Sequence, residues 1–340
     1  MQKVIGGEFD IDLAKIGTKY SLNNSNVFSS GRAALYHILK LLSTYNKFTK
    51  VLLPDYLCES VIDAVRKSKF EIEFYNINSD LSIDLESLHN KYCDSSIVLL
   101  INYFGCIDIA KQIKMVRSIK SNACVIADNV QGYYAMSESN EADFSFTSLR
   151  KTFPVPDGAI VETSVNGLEI LTRENTFVAH KIAGGILKQY AKKNKIDDSL
   201  YLNFLNKGEQ LINENYGSAM SDFSKLFFGN IDFDDISKRR KDNSNFVLEC
   251  LKQMAIKPII LNIENHTPLF IPIRLKNRDE IRKKMFSKNI FCPIHWPEPK
   301  GINLYRSNEL ANTELSLVID QRYKKDDMKR MLDILDKYNK

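Results

Sequence analysis

The chain has 340 residues, 44% of them hydrophobic and 26% charged, with a formal net charge of +5. That length allows one large domain with an appendage, or two domains, and the slight, dispersed positive excess excludes a nucleic-acid footprint. Six cysteines without a CxxC pair and five scattered histidines exclude a disulfide scaffold and give no metal-ligand spacing, and with no apolar leader and no run of about 18 apolar residues the expectation is a cytoplasmic protein off the membrane.

Taken in chain order, residues 31–163 alternate between two periodicities. "GRAALYHILKLL" (31–42) has helical apolar spacing, and "KVLLP" (50–54) is a short apolar run closed by proline. "CESVIDAVRKS" (58–68) is helical, and "FEIEFYNI" (70–77) alternates as a strand does. "DLESLHNKY" (84–92) predicts a helix, "SIVLLINYFG" (96–105) a buried strand, and "IAKQIKMVRSIK" (109–120) a helix. Strands follow at "ACVIADN" (123–129), "DFSFTS" (143–148) and "GAIVET" (158–163). Strands separated by helices imply an α/β fold with a mostly parallel sheet covered on both faces. From about 174 to 255 the pattern is helical and polar-rich. Beyond it, strands at 269–275, 289–296 and 315–320 with helices near 277–288 and 324–338 read as a small α+β domain. The division is placed at 235/236: a large domain 1–235 and a small C-terminal domain 236–340.

In parallel sheets, ligands bind beyond the carboxyl ends of the strands, so the residues there carry the functional argument. "FSSGRAAL" (28–35) puts Ser29, Ser30 and Gly31 before a helix, either as a simple cap or as an anion site made by free N–H groups. "LLINYFG" (99–105) puts Asn102 and two aromatics after a buried strand, as packing or as an amide and a ring face for a ligand. "VIADNVQG" (125–132) ends an apolar run in Asp128, which either closes an Asx turn or holds a cationic nitrogen of a ligand. "FSFTSLRK" (144–151) ends in two cations. They are either a solvated loop pair or one of them is there to react; Arg150 is never deprotonated, so the reactive one would be Lys151, whose amine becomes nucleophilic if neighbouring cations and burial lower its pKa. An anion cradle, a carboxylate for a ring nitrogen and a reactive lysine, in that order, match the needs of pyridoxal 5'-phosphate (PLP).

These residues resemble the DegT-type aminotransferases of PLP fold type I, which act mostly on keto-sugars attached to nucleotides. The resembling stretches are "SGRAAL" (30–35), "INYFG" (101–105), "VIADNVQG" (125–132), "FSFTSLRK" (144–151) and "LSLVIDQRYKKDDM" (315–328). The resemblance implies that Asp128 pairs with the pyridine nitrogen and that Gln131 lies along the ring. Lys151 would be the Schiff-base lysine and proton shuttle. Gly31 and Arg32 would offer backbone N–H groups to the phosphate, with a hydroxyl from Ser145 or Ser148, while Tyr56 stacks on the ring and Asn102 adds a cofactor contact. His295, Trp296 and Arg322 are candidate substrate contacts, Arg322 for a donor carboxylate. It also implies a large PLP-binding domain, a small C-terminal domain and a homodimer.

Two departures stand out. Gapless alignment from Ser145 puts Arg150 at the lysine position, which implies a one-residue shift in the turn. The family's Asn-x-Arg-Met-Ser-Asp stretch is "GSAMSD" (217–222) here, without the asparagine that reaches a partner subunit's phosphate. The leading reading is an aminotransferase that moves an amino group from an amino acid, L-glutamate first, to a nucleotide-linked keto-sugar or similar carbonyl in surface-polysaccharide or secondary-metabolite synthesis. Two alternatives stay open: a PLP lyase, decarboxylase or dehydratase on a small substrate, and a non-catalytic binder of PLP or a sugar nucleotide.

Overall fold

The computed structural model describes residues 3–13, 26–169, 176–194, 197–260, 262–302, 304 and 308–339. Positions 174, 175, 195 and 196 of the expected helical stretch lie outside them. The chain starts with the two-residue strands β1 (Ile5–Gly6) and β2 (Val27–Phe28). Helix α1 (Gly31–Ser43) is capped by Ser30, whose hydroxyl accepts from the Ala33 N–H. Its apolar stripe of Ala34, Leu35, Ile38, Leu39 and Leu42 is buried.

Regular βα units follow: β3 (Lys50–Pro54), α2 (Glu59–Lys67), β4 (Glu71–Tyr75), α3 (Leu85–Lys91), β5 (Ser96–Ile101), α4 (Ile109–Ile119) and β6 (Cys124–Asp128). Asp84 and Asp108 cap α3 and α4 through their side chains. Every residue of β5 and β6 is buried, as both-face coverage requires. Each such Val, Leu or Ile contributes roughly 1.5–3 kcal/mol on burial. Then come β7 (Phe144–Phe146), the single turn α5 (Leu149–Thr152) and β8 (Ala159–Glu162). The seven strands run in the order β2-β8-β7-β6-β5-β3-β4. Pairings from β7 to β4 are parallel, while β8 and β2 are antiparallel additions. Asp128 is in register with Ile101 on one side and Phe146 on the other. It therefore sits at the carboxyl edge of the sheet.

Helices α6 (Thr176–Lys193) and α7 (Asp198–Glu214) pack closely against each other. At Gly208 a Cβ would come within 2.9 Å of the Lys181 Cγ, so the missing side chain lets Lys181 lie buried between the helices. After α8 (Asp222–Phe228), helix α9 (Phe233–Gln253) leads to a second layer. That layer contains β9 (Phe270–Arg274), α10 (Arg278–Phe286), β10 (Ile290–Phe291), α11 (Asn308–Thr313), β11 (Glu314–Val318) and α12 (Lys325–Tyr338). β9 and β11 pair antiparallel, and α9 and α12 bury Val247, Leu251, Met328, Met331 and Leu335.

Two expected strands are shorter than their apolar runs. The stretch 289–296 forms a strand only at β10, paired in parallel with β1; Pro293 supplies no N–H to extend it. The run 96–105 stops at Ile101, and Tyr103–Gly105 make a 3-10 turn with Phe104 at φ 58°.

Candidate active site

A cavity of about 560 Å³ opens where the carboxyl edge of the sheet meets the chain start, α6–α7 and the C-terminal layer. Its chemistry begins with the exit from β7. The Thr147 hydroxyl donates to the Asn129 carbonyl at 2.8 Å, and Leu149 and Phe153 on either side of the α5 turn are fully buried. Phe153 sits in an aromatic cluster with Tyr133, Phe228 and Phe233. The next turn is held by Asp157, which accepts from the backbone N–H and hydroxyl of Ser221 at 2.8 and 2.7 Å. With both flanks locked, Arg150 and Lys151 leave α5 in different directions. Arg150 makes a bidentate ion pair with Glu209, both bonds 3.0 Å. Lys151 lines the cavity. Its side chain is solvent-accessible because it extends into that space, yet protein surrounds the amine. Burial, with the Arg150 charge adding to it, lowers the Lys151 pKa. The helical turn thus sends the two cations apart, Arg150 to Glu209 and Lys151 to the cavity.

Asp128 faces the same cavity and is 5% exposed. Its Oδ1 accepts from the Val130 N–H at 2.8 Å. No cation pairs with it among the described residues, and burial pushes its carboxyl up to about 7. A buried carboxylate at a cavity wall is stabilised by a protonated nitrogen brought by a ligand.

The first turn of α1 forms another wall. Ser30 satisfies Ala33, and the Gly31 and Arg32 amides are among the helix-start donors without an intrahelical acceptor. A Cβ at Gly31 would lie 2.9 Å from Val130 Cγ2, so only glycine lets this turn approach the loop after Asp128. The Arg32 guanidinium is engaged elsewhere, donating to Asn213 at 2.8 Å. Ser148 also lines the cavity and makes no capping bond with its hydroxyl. Amide donors, a hydroxyl, an uncompensated carboxylate and a lysine amine are the groups needed to hold PLP, and these residues fit it.

A charge cluster closes one side. Lys181, 3% exposed, pairs with Glu8 at 2.9 Å and with Glu209 at 2.7 Å. Burial raises the Glu209 carboxyl, but Arg150 and Lys181 outweigh it and hold it well below the usual carboxylate range. Lys188 donates to the Glu8 carbonyl. The chain start is thereby clamped over the cavity.

Several expected contacts lie elsewhere. Tyr56 is buried outside the cavity, stacked on Tyr103 at 6.0 Å and edge-on to Trp296 at 5.4 Å; Cys58, two residues later, reaches the cavity instead. Asn102 is a scaffold: it donates to Asn129 Oδ1 at 2.9 Å and accepts from the Ile107 N–H at 3.1 Å. Ser145 accepts from Asn129 Nδ2 at 3.0 Å beneath the sheet edge, so of the two serines only Ser148 meets the cavity. Arg322 is spent internally, on Asp320 at 2.9 and 2.7 Å and on the Gly7 and Glu8 carbonyls at 3.0 Å each. It braces the chain start with four of its five N–H donors.

Gln131, His295 and Trp296 do line the cavity. Gln131 Oε1 accepts from the Phe104 N–H at 2.9 Å. His295 Nδ1 contacts the Ser316 hydroxyl at 2.8 Å, and that hydroxyl donates to Glu314. Burial and the Lys151 charge lower the His295 pKa to about 3, so the ring is neutral. Arg240, Lys181 and Glu209 reach the cavity without having been singled out from the sequence. Arg240 falls in "KRRKDN", which reads as the solvated face of an amphipathic helix; only its burial separates it from its neighbours.

No protein-family model and no curated protein matches the chain. Solved structures do. Spr1654 from Streptococcus pneumoniae, in its PMP form, superposes with a TM-score of 0.68 at 13% identity over 98% of this chain and 97% of that one. DesI in the presence of its TDP-sugar product gives 0.65 at 15% identity over 92% and 79%. A DegT DnrJ EryC1 StrS aminotransferase from Brucella abortus gives 0.61 at 13% identity over 92% and 85%. The chain therefore has the fold of these enzymes, PLP fold type I, with its mostly parallel central sheet.

Proposed function

We propose that this protein is a PLP-dependent aminotransferase of the DegT type, moving an amino group from an amino acid, L-glutamate first, to a nucleotide-linked keto-sugar. The observation that carries the reading is the pairing of Asp128, a buried carboxylate without a cation, with the Lys151 amine in one cavity. The fold shared with an enzyme bound to PMP and another bound to a TDP-sugar supports the cofactor and the acceptor class.

PLP, when bound, supplies the electron sink that labilises the bonds at an amino acid's Cα. The chain's own residues do the rest. The Gly31 and Arg32 amides and the Ser148 hydroxyl would hold the phosphate, and the Asp128 carboxylate would face the ring nitrogen. Lys151 Nζ would hold the cofactor and, once displaced by the donor amine, would take the proton from the donor Cα and pass it to the cofactor. Burial first, and the Arg150 charge with it, lower the pKa of that amine and so favour its basic form. General base catalysis of this kind contributes roughly 10²–10⁴-fold. Pro154, Val155 and Pro156 line the cavity beyond Lys151 and restrict water there.

The reading includes a homodimer, supported by Tyr190, Leu200, Leu202 and Phe204, which α6 and α7 expose. It also includes a cytoplasmic location and a role in surface-polysaccharide or secondary-metabolite synthesis. Among the described residues no helix is long and apolar enough to cross a membrane. We divide the chain at 235/236, within the first turn of α9. The test is direct. Purified protein should take up PLP and absorb visible light, and borohydride should then fix the cofactor on the peptide that carries Lys151. Glutamate should yield 2-oxoglutarate. A protein that takes up no PLP sinks the reading.

A further inference from the structure

Arg240 is 1% exposed, yet it lines the cavity. Its Nη1 donates over long distances, 3.3 and 3.2 Å, to the carbonyls of Pro268 and Leu269. Its Nε is buried with no partner, and its Nη2 has none among the described residues. The nearby carboxylate, Asp320, is already taken by Arg322 through two bonds of 2.9 and 2.7 Å. A buried guanidinium whose geometry suits bidentate carboxylate binding, left without an anion, is a costly arrangement unless a ligand completes it.

We propose that Arg240 binds a carboxylate of the amino-acid donor. The identity of that ligand rests on the aminotransferase reading; the anion site itself does not. Arg240 projects from α9 beside Leu269 and Phe270, whereas the amides proposed for the phosphate lie on α1, so one ligand group does not compete with the other.

The experiment uses glutarate, a dicarboxylate without an amine, titrated calorimetrically into the full-length protein with and without PLP. Wild type should bind it, and Arg240→Gln should weaken binding at least tenfold, with Arg240→Lys in between. Circular dichroism checks that each variant is folded; should Arg240→Gln not fold, Arg240→Lys carries the comparison. In the PLP-loaded enzyme the KM for L-glutamate should rise at least tenfold, with kcat changed less. Wild type that does not bind glutarate, or a folded variant that binds it as wild type does, overturns the proposal. Arg240-dependent glutarate binding in a protein that takes up no PLP keeps the anion site but removes the proposed function, and with it the donor as its ligand.

Discussion

Arg240 and Arg322 line one cavity and both belong to the C-terminal half, Arg240 buried and Arg322 partly buried. Arg322 has its charge compensated: a bidentate carboxylate and two carbonyls take four of its five donors. Arg240 has two long bonds and, among the described residues, no carboxylate within ion-pair distance. The difference teaches that position in a cavity wall does not mark a ligand group; the lack of internal compensation does. The same test separates Arg150 from Lys151, and Glu209 from Asp128. In each pair the first member is neutralised within the fold and the second awaits something else.

The contrast can be broken at several points. The largest effect is expected at Lys151. Lys151→Ala should abolish the borohydride-fixed cofactor and cut turnover by at least about 10²–10⁴-fold, while Arg150→Lys should leave the fixed cofactor in place. Turnover that survives in Lys151→Ala would end its role. Next is stability. Arg322→Gln leaves the buried Asp320 carboxylate without its partly buried partner and should cost up to about 3 kcal/mol in urea unfolding; Arg240→Gln, which removes an uncompensated charge, should cost less. Equal losses would erase the distinction between the two arginines.

Asp128 yields a pH signature in the PLP-free protein. Its carboxyl is raised from 3.8 to about 7, chiefly by burial, so the folded chain holds this proton more tightly than the unfolded one. Its contribution is therefore full below about 3.8 and is lost as pH rises to about 7, on the order of 4 kcal/mol in all. Glu314, raised to about 8, has the same sign. Thermal midpoints should fall across this window, and Asp128→Asn should flatten part of the slope. A slope unchanged by the substitution rules Asp128 out as its source. The smallest effect is at Gly31. Its Cβ contact with Val130 should make Gly31→Ala cost about 1–3 kcal/mol, and PLP titration should show weaker uptake.

Much of the fold was legible because the βα units carry strong periodicity and both-face burial. "SIVLLI" and "CVIAD" are buried strands at the predicted positions, and α1 to α4 match their apolar stripes. Asp128 and Lys151 could be picked out because strand ends bind ligands in such sheets and because only the lysine of the pair can react. Tyr56, Asn102 and Ser145 lie off the cavity for one reason: around a strand end, a shift of two or three residues turns a side chain from cavity to core. Cys58 and Ser148, close neighbours in sequence, face the space that Tyr56 and Ser145 do not.

The sequence by itself determined the sheet, its helices and the two groups, carboxylate and amine, at its edge, because periodicity and residue chemistry are local properties. Which cations are spent and which are free was decided only in three dimensions. Glu8 meets Lys181 across 173 residues, and Glu209 meets Arg150 across 59. Compensation of buried charge depends on such distant partners, and no local pattern encodes them.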